Sequence, residues 1–351
     1  GIGNEKIQWE RTRRVNVGVD ANLLDNRLGV RFNYFRSVTD HLLMWQEMSF
    51  LSGLDKTWGN GGKLENRGFD VEATGVVWAS PSWQWQVGAS VGHYKNEVTA
   101  LPDGQQYMDT EILGATVRTE IGRPANLFYG YKTKGVFATS AEAQAAGLYV
   151  RDANGVDQTA FEAGDVHFVD LDGDHFVTEA DRTVIGDPNP DIYGNIFTTV
   201  QYRRFRLDVR FNYSLGNDIY NYMRQQLESG SRFMNQTTAL ARRWQVEGQQ
   251  TDIPRLSFQD PMGNSRFSDR WIEDGSYLRL KTVTLSYDLP ISSTFLQGLQ
   301  FWVQANNVFT LSRYLGTDPE GAALSAVLGQ GIDAGSVPQS RNFMVGIKIS
   351  L

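Results

Sequence analysis

Phe205-Arg206-Leu207-Asp208-Val209-Arg210-Phe211-Asn212-Tyr213-Ser214-Leu215 is the stretch on which the fold turns. Its odd positions are apolar and its even positions charged or polar, the period of two of a strand with one greasy and one wet face. The last residues repeat it: Phe343, Val345, Ile347, Ile349 and Leu351 alternate with Met344, Gly346, Lys348 and Ser350. At about 3.3 Å per residue and a tilt near 45°, eleven residues rise roughly 26 Å, the height of the apolar band of a transmembrane barrel. A single such stretch would suit a soluble sandwich equally well. How often the pattern recurs, and what separates the copies, decides between them.

Eleven candidate strands follow one another: 15–23, 28–34, 69–77, 83–91, 113–121, 127–137, 196–202, 205–215, 283–287, 299–305 and 343–351. The connections between them alternate in length. Tight turns are expected near 25, 80, 124, 203 and 290, and long excursions at 38–62, 96–112, 138–192, 216–275 and 312–340. Compact soluble domains seldom carry several loops longer than about 15 residues, whereas outer-membrane barrels have short turns on one rim and long loops on the other. The expected fold is therefore all-β, an antiparallel transmembrane β-barrel with long extracellular loops. Asp20, Arg31, Asp70, Glu72, Gln84, Gln86, Arg118, Arg206, Asp208, Arg210, Gln304 and Lys348 would point inward. A dry core could not accept them, but a wet lumen can.

Composition agrees. The 351 residues contain no run of eighteen apolar residues, so a helical span is excluded and the alternation is the only membrane signal. Aromatics at 12% and 35 glycines suit strands and turns. Cysteine is absent, which removes disulfides, thiolate metal sites and cysteine nucleophiles together. The net charge of -7 is concentrated between Glu162 and Asp191, where nine acids face one base, Arg182. The remainder is close to neutral and has no basic footprint of a nucleic-acid binder. Residues 1–10 show neither the basic start nor the apolar core of a signal peptide.

The sharpest local motif runs from Asp170 to Asp181. Asp170, Asp172, Asp174, the Phe176 carbonyl, Thr178 and Asp181 fall at positions 1, 3, 5, 7, 9 and 12 of a calcium-loop spacing. His175 stands at position 6 where glycine is usual, and Asp181 at position 12 where glutamate is usual. Histidine reaches left-handed conformations more readily than most residues. The expected ligand is a structural Ca2+ ion that stiffens a long loop; a solvated acidic loop is the alternative.

No catalytic constellation emerges. His41, His93, His167 and His175 lack zinc spacing, and no glycine-framed serine or phosphate loop appears. Asp70 and Glu72 share a strand face as paired glycosidase carboxylates might, but a polar lumen accounts for them. Trp45, Trp58, Tyr107, Tyr149, Tyr220, Tyr222 and Trp244 are candidates for stacking on substrate, for packing on a partner, or for folding their own loops.

Specific motifs carry a family resemblance. Ser268-Asp269-Arg270-Trp271-Ile272-Glu273-Asp274-Gly275-Ser276-Tyr277-Leu278-Arg279-Leu280-Lys281, continuing into Leu285-Ser286-Tyr287-Asp288-Leu289-Pro290, resembles a signature near the end of SusC/RagA-type TonB-dependent outer-membrane transporters. Asn306 to Leu311, Tyr314-Leu315-Gly316, Asp318-Pro319-Glu320 and Pro338-Gln339-Ser340-Arg341 resemble the motifs that follow it. Upstream, Gly62 to Gly68, Gly122-Arg123-Pro124 with Phe128-Tyr129-Gly130-Tyr131, and Asp181 to Gly186 with Pro188-Asn189-Pro190 are similar too. The resemblance implies the C-terminal part of a 22-stranded barrel, with about eleven strands here and the plug domain elsewhere. It implies a location in the outer membrane of a Gram-negative bacterium, in contact with outer-membrane lipid and with the remaining barrel and plug segments. It also implies TonB-dependent import of glycan or peptide oligomers with a SusD-like surface lipoprotein, and no enzymatic activity. The alternative from a different class is a soluble all-β glycan-binding module or glycoside hydrolase.

Overall fold

Leu24, Asp25 and Asn26 take φ angles of 53°, 54° and 64° and reverse the chain, so β1 (Arg11–Leu23) pairs with β2 (Leu28–Glu47) from Leu23↔Leu28 up to Arg11↔Asp40. Seven more long strands continue the meander: β3 (Lys56–Ala79), β4 (Trp83–Ala100), β5 (Ile192–Tyr202), β6 (Phe205–Leu215), β7 (Tyr277–Leu289), β8 (Gly298–Ser312) and β9 (Asn342–Ser350). They form one sheet in chain order, every neighbour antiparallel. This computed structural model describes residues 6–47, 53, 56–151, 155, 158–291, 295–321 and 329–350. None of its helices is long and apolar enough to cross a membrane.

The expectation of eleven wall strands is corrected to nine among the described residues. The stretches 113–121 and 127–137 do not enter the wall, and β4 pairs directly with β5 across them. Instead Tyr107–Ile112, Ala115–Glu120, Leu127–Tyr131 and Arg182–Gly186 build a separate four-stranded sheet. The physical reason is length: five or six residues at the same tilt rise only about 14 Å, and a spanning strand needs roughly 9–11 residues. Arg118 accordingly does not face a lumen. It grips Asp109 through two 2.7 Å hydrogen bonds and lies over the Tyr107 and Tyr129 rings.

Loop boundaries shift with this correction. The expected loops 96–112 and 138–192 merge into one excursion, 101–191, and the turn near 124 lies inside it. The expected loop 38–62 is mostly strand, because β2 and β3 stay paired up to Glu47↔Lys56. The last two long loops fall at 216–276 and 313–341.

The sheet is a single layer, and the packed core lies beside it, in the loops. One cluster gathers Phe137, Leu148, Phe161, Val166, Phe168 and Met262; a second gathers Ala115, Val117, Phe128, Tyr220, Phe267, Trp271 and Ile332. Both clusters draw on more than one excursion, so the long loops form a folded cap on one rim.

Candidate functional site

Strand register fixes which side chains share a face, and two adjacent rows of the wall differ completely in character. Asp20, Arg31, Glu72, Ser90, Asn195, Asn212 and Arg279 sit directly opposite one another across seven strands. One residue further along, Val19, Phe32, Val71, Val91, Gly194, Tyr213 and Leu278 do the same. Alternation puts the first row on one face and the second on the other.

Charge pairs organise the polar face. Arg31 lies 3.0 Å from Asp20 and 3.7 Å from Glu72, tying three strands together. Lower down, Arg206 pairs with Asp208 at 2.8 Å and Thr199 donates to the same carboxylate at 2.7 Å. Thr284 and Gln304 join at 3.2 Å. Asp70 and Glu72, with Asp20, Arg31, Ser90, Asn195 and Asn212, line a trough of about 800 Å³ on this side. Apart from Arg118, the residues read as inward-facing lie on this face.

The opposite face is apolar and uncovered. Phe343 and Val345 are 80% and 81% exposed, and Val15, Val17, Val19, Ile347 and Ile349 are exposed with them. Its lower border is an aromatic row, Trp83–Tyr202–Phe205–Tyr287–Phe301, running across five strands. The rings touch in pairs, Trp83 with Tyr202 at 4.6 Å and Phe205 with Tyr287 at 4.7 Å.

Above the wall, the acidic loop is tightly turned. Asp170 accepts the amides of Gly173 and His175, Asp172 that of Asp174, and Asp174 that of Phe176. His175 takes the left-handed conformation expected at position 6, with φ 65°. Ligand atoms of Asp170, Asp172 and Asp174 lie within 4.8 Å of one another. Asp181 is fully buried and accepts the amides of Leu171 and Thr178, both at 2.8 Å, so it also ties the loop shut. The Asp174 amide draws the Asp172 carboxyl down, yet desolvation and the charges of Asp174, Asp181 and Asp170 leave it above the ordinary aspartate range. A cation would relieve that repulsion.

The candidate aromatics separate by position. Trp58 and Tyr107 are exposed. Tyr149 packs its ring on Phe176, 5.9 Å away, and so buttresses the acidic loop. Trp244 donates to the Ala138 carbonyl at 3.0 Å and lies against Gly164, where a Cβ would meet its ring at 2.5 Å. Tyr222 packs at the edge of the second cluster. Tyr220 is corrected as a stacking residue: it is 0% exposed, and its hydroxyl lies in hydrogen-bond reach of two acceptors, the Leu113 carbonyl and Gln225 Oε1, which share its single proton. Trp45 pairs with Trp58 across the β2–β3 hairpin, and its side chain lies outside the described residues.

Sequence reasoning missed one surface. Phe233, 93% exposed, packs its ring at a tilt on exposed Phe258, 4.9 Å away, next in sequence to exposed Met234, all on the 216–276 loop. The signal available was an apolar pair, Phe233-Met234, set inside the polar run 229–237.

The motif residues near the end of the chain turn out to be joints of the rim. Asp269 accepts from the Thr133 amide and hydroxyl at 3.1 and 2.7 Å. Buried Trp271 lies between Arg224 and Arg270, at 5.7 and 4.8 Å. Burial, and secondarily the charge of Arg224, lower the Arg270 guanidinium to about 10. Arg279 at the top of β7 pairs with Asp318 and, at 2.8 Å, with Glu320.

Comparison with known proteins agrees with this geometry. Residues 1–173 match the family described as TonB dependent receptor-like, beta-barrel. TonB-dependent receptor P3 of Formosa agariphila is 30% identical over 99% of this chain and 35% of its own length. TonB-dependent receptor SusC of Bacteroides thetaiotaomicron is 25% identical over 99% of this chain and 32% of its own. The solved RagAB peptide transporter superposes with a TM-score of 0.79 at 25% identity, over 99% of this chain and 36% of that one. The chain thus spans about a third of the length of these relatives.

Proposed function

We infer, from the premise that this chain is β-barrel wall of the SusC/RagA type of TonB-dependent receptor, that it works in the outer membrane of a Gram-negative bacterium as part of an importer of glycan or peptide oligomers. The observation that carries the reading is the pair of neighbouring rows, one wholly polar and one apolar, across seven strands. A single-layer sheet with an uncovered apolar face has no second layer to bury it, and lipid supplies that cover. The polar face then lines the conduit, and the folded loops form the outer rim where cargo arrives. Because lipid cannot satisfy the free edges of an open sheet, further strands complete the wall.

Partners follow from the same reading. A surface lipoprotein of the SusD kind covers the rim, with the Phe233–Met234–Phe258 patch as an apolar contact for it, and TonB supplies the energy for transport. The loop 170–181 takes a Ca2+ ion through Asp170, Asp172, Asp174, the Phe176 carbonyl, Thr178 and Asp181; all are hard oxygen donors, and three of the carboxylates already converge. The ion would stiffen the rim.

Paired labels test the wall directly. The chain lacks cysteine, so Val209→Cys and Arg210→Cys each give one spin-label position within it. In the intact receptor in membranes, the first is expected to be accessible to dissolved oxygen and shielded from a polar nickel chelate, and the second the reverse. Like accessibilities at both positions would remove the reading.

A further inference from the structure

Above the apolar band, the outward face turns basic. The row Tyr34–Phe69–His93 closes the band on the long-loop side, and the next row up is Arg36–Arg67–Lys95 on the same three adjacent strands. Along β4, the twelve residue steps from Trp83 in the lower aromatic row to Lys95 rise about 28 Å at a 45° tilt, which sets this row at the headgroup level of the outer leaflet. All three side chains are exposed.

The surrounding outward positions extend the belt. Arg11, Arg13 and Lys63 add positive charge, and Asp40, Glu65 and Glu97 are the carboxylates among them, leaving six cations against three anions. Glu65 is committed to Arg36 by two 2.8 Å hydrogen bonds, and Asp40 lies 3.5 Å from Lys63. Arg67 and Lys95 face each other across β3 and β4 and form no ion pair among the described residues, although the charge of Arg67 acts on Glu65 and Glu97 stands opposite Glu65 in the next row of this face. Like charges directly opposite on a sheet repel and destabilise it unless an anion lies between them. In a chain of net charge -7, a basic belt at this height is a local departure.

The geometry points to a binding site for the phosphorylated headgroup of an outer-leaflet glycolipid, held on the outer wall by Arg67 and Lys95 with Arg36 alongside. Acyl chains of the same molecule lie against the apolar band below, and the phosphate meets the cation row above it. Arg67 offers a planar fork for phosphate oxygens and Lys95 a point charge. The inference rests on the reading of the apolar face as lipid-facing.

The test uses the intact receptor, purified in detergent and titrated with bisphosphorylated lipid A, with lipid bound per receptor counted by native mass spectrometry. Dephosphorylated lipid A and inorganic phosphate are the comparison probes. Wild type is expected to prefer the phosphorylated lipid, and Arg67→Gln/Lys95→Gln to bind it about 30-fold more weakly, from roughly one decade or less of affinity per cation. Equal binding by the double variant overturns the site, as does equal binding of the dephosphorylated lipid. Displacement by inorganic phosphate at the same concentration as lipid A overturns the lipid assignment. Heat-modifiable gel migration of the double variant shows that its barrel is folded; a wild-type receptor soluble without detergent would instead sink the membrane reading itself.

Discussion

Arg279 and Asp318 are the pair whose removal the structure makes most informative. Arg279 is 3% exposed and Asp318 5%, and the two are in ion-pair contact. Asp318 also accepts the Gln339 amide and the Glu320 amide, both at 3.0 Å, so one carboxylate closes the loop 313–341 onto β7. Burial alone would raise this carboxyl, but the amide of Gln339, the Arg279 guanidinium and the amide of Glu320 outweigh it and hold it below the ordinary aspartate range. For a carboxylate lowered in the folded state, the stabilisation is complete above about pH 4 and is lost as pH falls below it. Asp318→Ala leaves the Arg279 charge buried with Glu320 as its remaining counter-charge. Breaking a buried pair costs about 3–5 kcal/mol, and the surviving Glu320 contact places this case at about 3 kcal/mol. Local opening of the loop should then rise about 150-fold. Hydrogen exchange of residues 314–321 in the detergent-solubilised receptor reads this quantity. Arg279→Met/Asp318→Ala removes the stranded charge and should recover half or more of the lost protection. Unchanged exchange in the single variant, or a double variant as unprotected as the single, would refute the electrostatic account of this joint.

Three further outcomes are expected. Asp172→Ala should abolish the calorimetric signal of Ca2+ binding to the intact receptor; unchanged uptake would leave the acidic loop as a solvated turn. Gly194→Ala should lower the midpoint of heat-modifiable gel migration by the equivalent of about 1–3 kcal/mol, because its Cβ would stand 2.0 Å from the Ser90 carbonyl oxygen, whereas Gly75→Ala, with no atom nearer than 3.9 Å, should not. His167 stacks on Phe137 at 4.3 Å, and burial, then Lys134, lower its pKa. Its lowered pKa favours the folded loop above about pH 6.5 and disfavours it as pH falls below that, so the protection of residues 166–168, taken relative to intrinsic exchange at each pH, should fall between pH 7.5 and 5.5, and His167→Gln should remove that fall.

What was legible in the sequence was the wall. Each strand that spans carries its own period of two, because lipid and lumen impose opposite demands on successive side chains whatever the tertiary partners. The two misassigned strands show the limit of that signal. Ala115, Val117 and Phe128 alternate as the wall residues do, yet they are 0–2% exposed against the loop core. Alternation states that one face is apolar and leaves open what covers it. Strand length carried the missing information, since Leu127–Tyr131 is too short to span while Lys56–Ala79 outlasts any bilayer and carries a hairpin out into the rim.

The site residues were less legible because residue type does not fix side. Tyr220 and Phe233 are both aromatics of the same loop, one sealed in a cluster with Phe128 and Phe267, the other standing in solvent. The residues that bury Tyr220 come from β-strand residues Ile272 and Ile332 and from the 101–191 excursion, far away in sequence, whereas Phe233 meets only Phe258 of its own loop among the ring contacts of the described residues. The same holds for the motifs that carry the family resemblance. Tyr277 to Lys281 and Asp318 to Glu320 look like two signatures, but Arg279–Asp318 and Lys281–Glu320 make them the two halves of one joint. A joint of this kind fixes where the loops meet the wall and makes no demand on the exposed rim surface. Motifs therefore identify the architecture of the barrel wall with high specificity while saying little about what its rim surface binds.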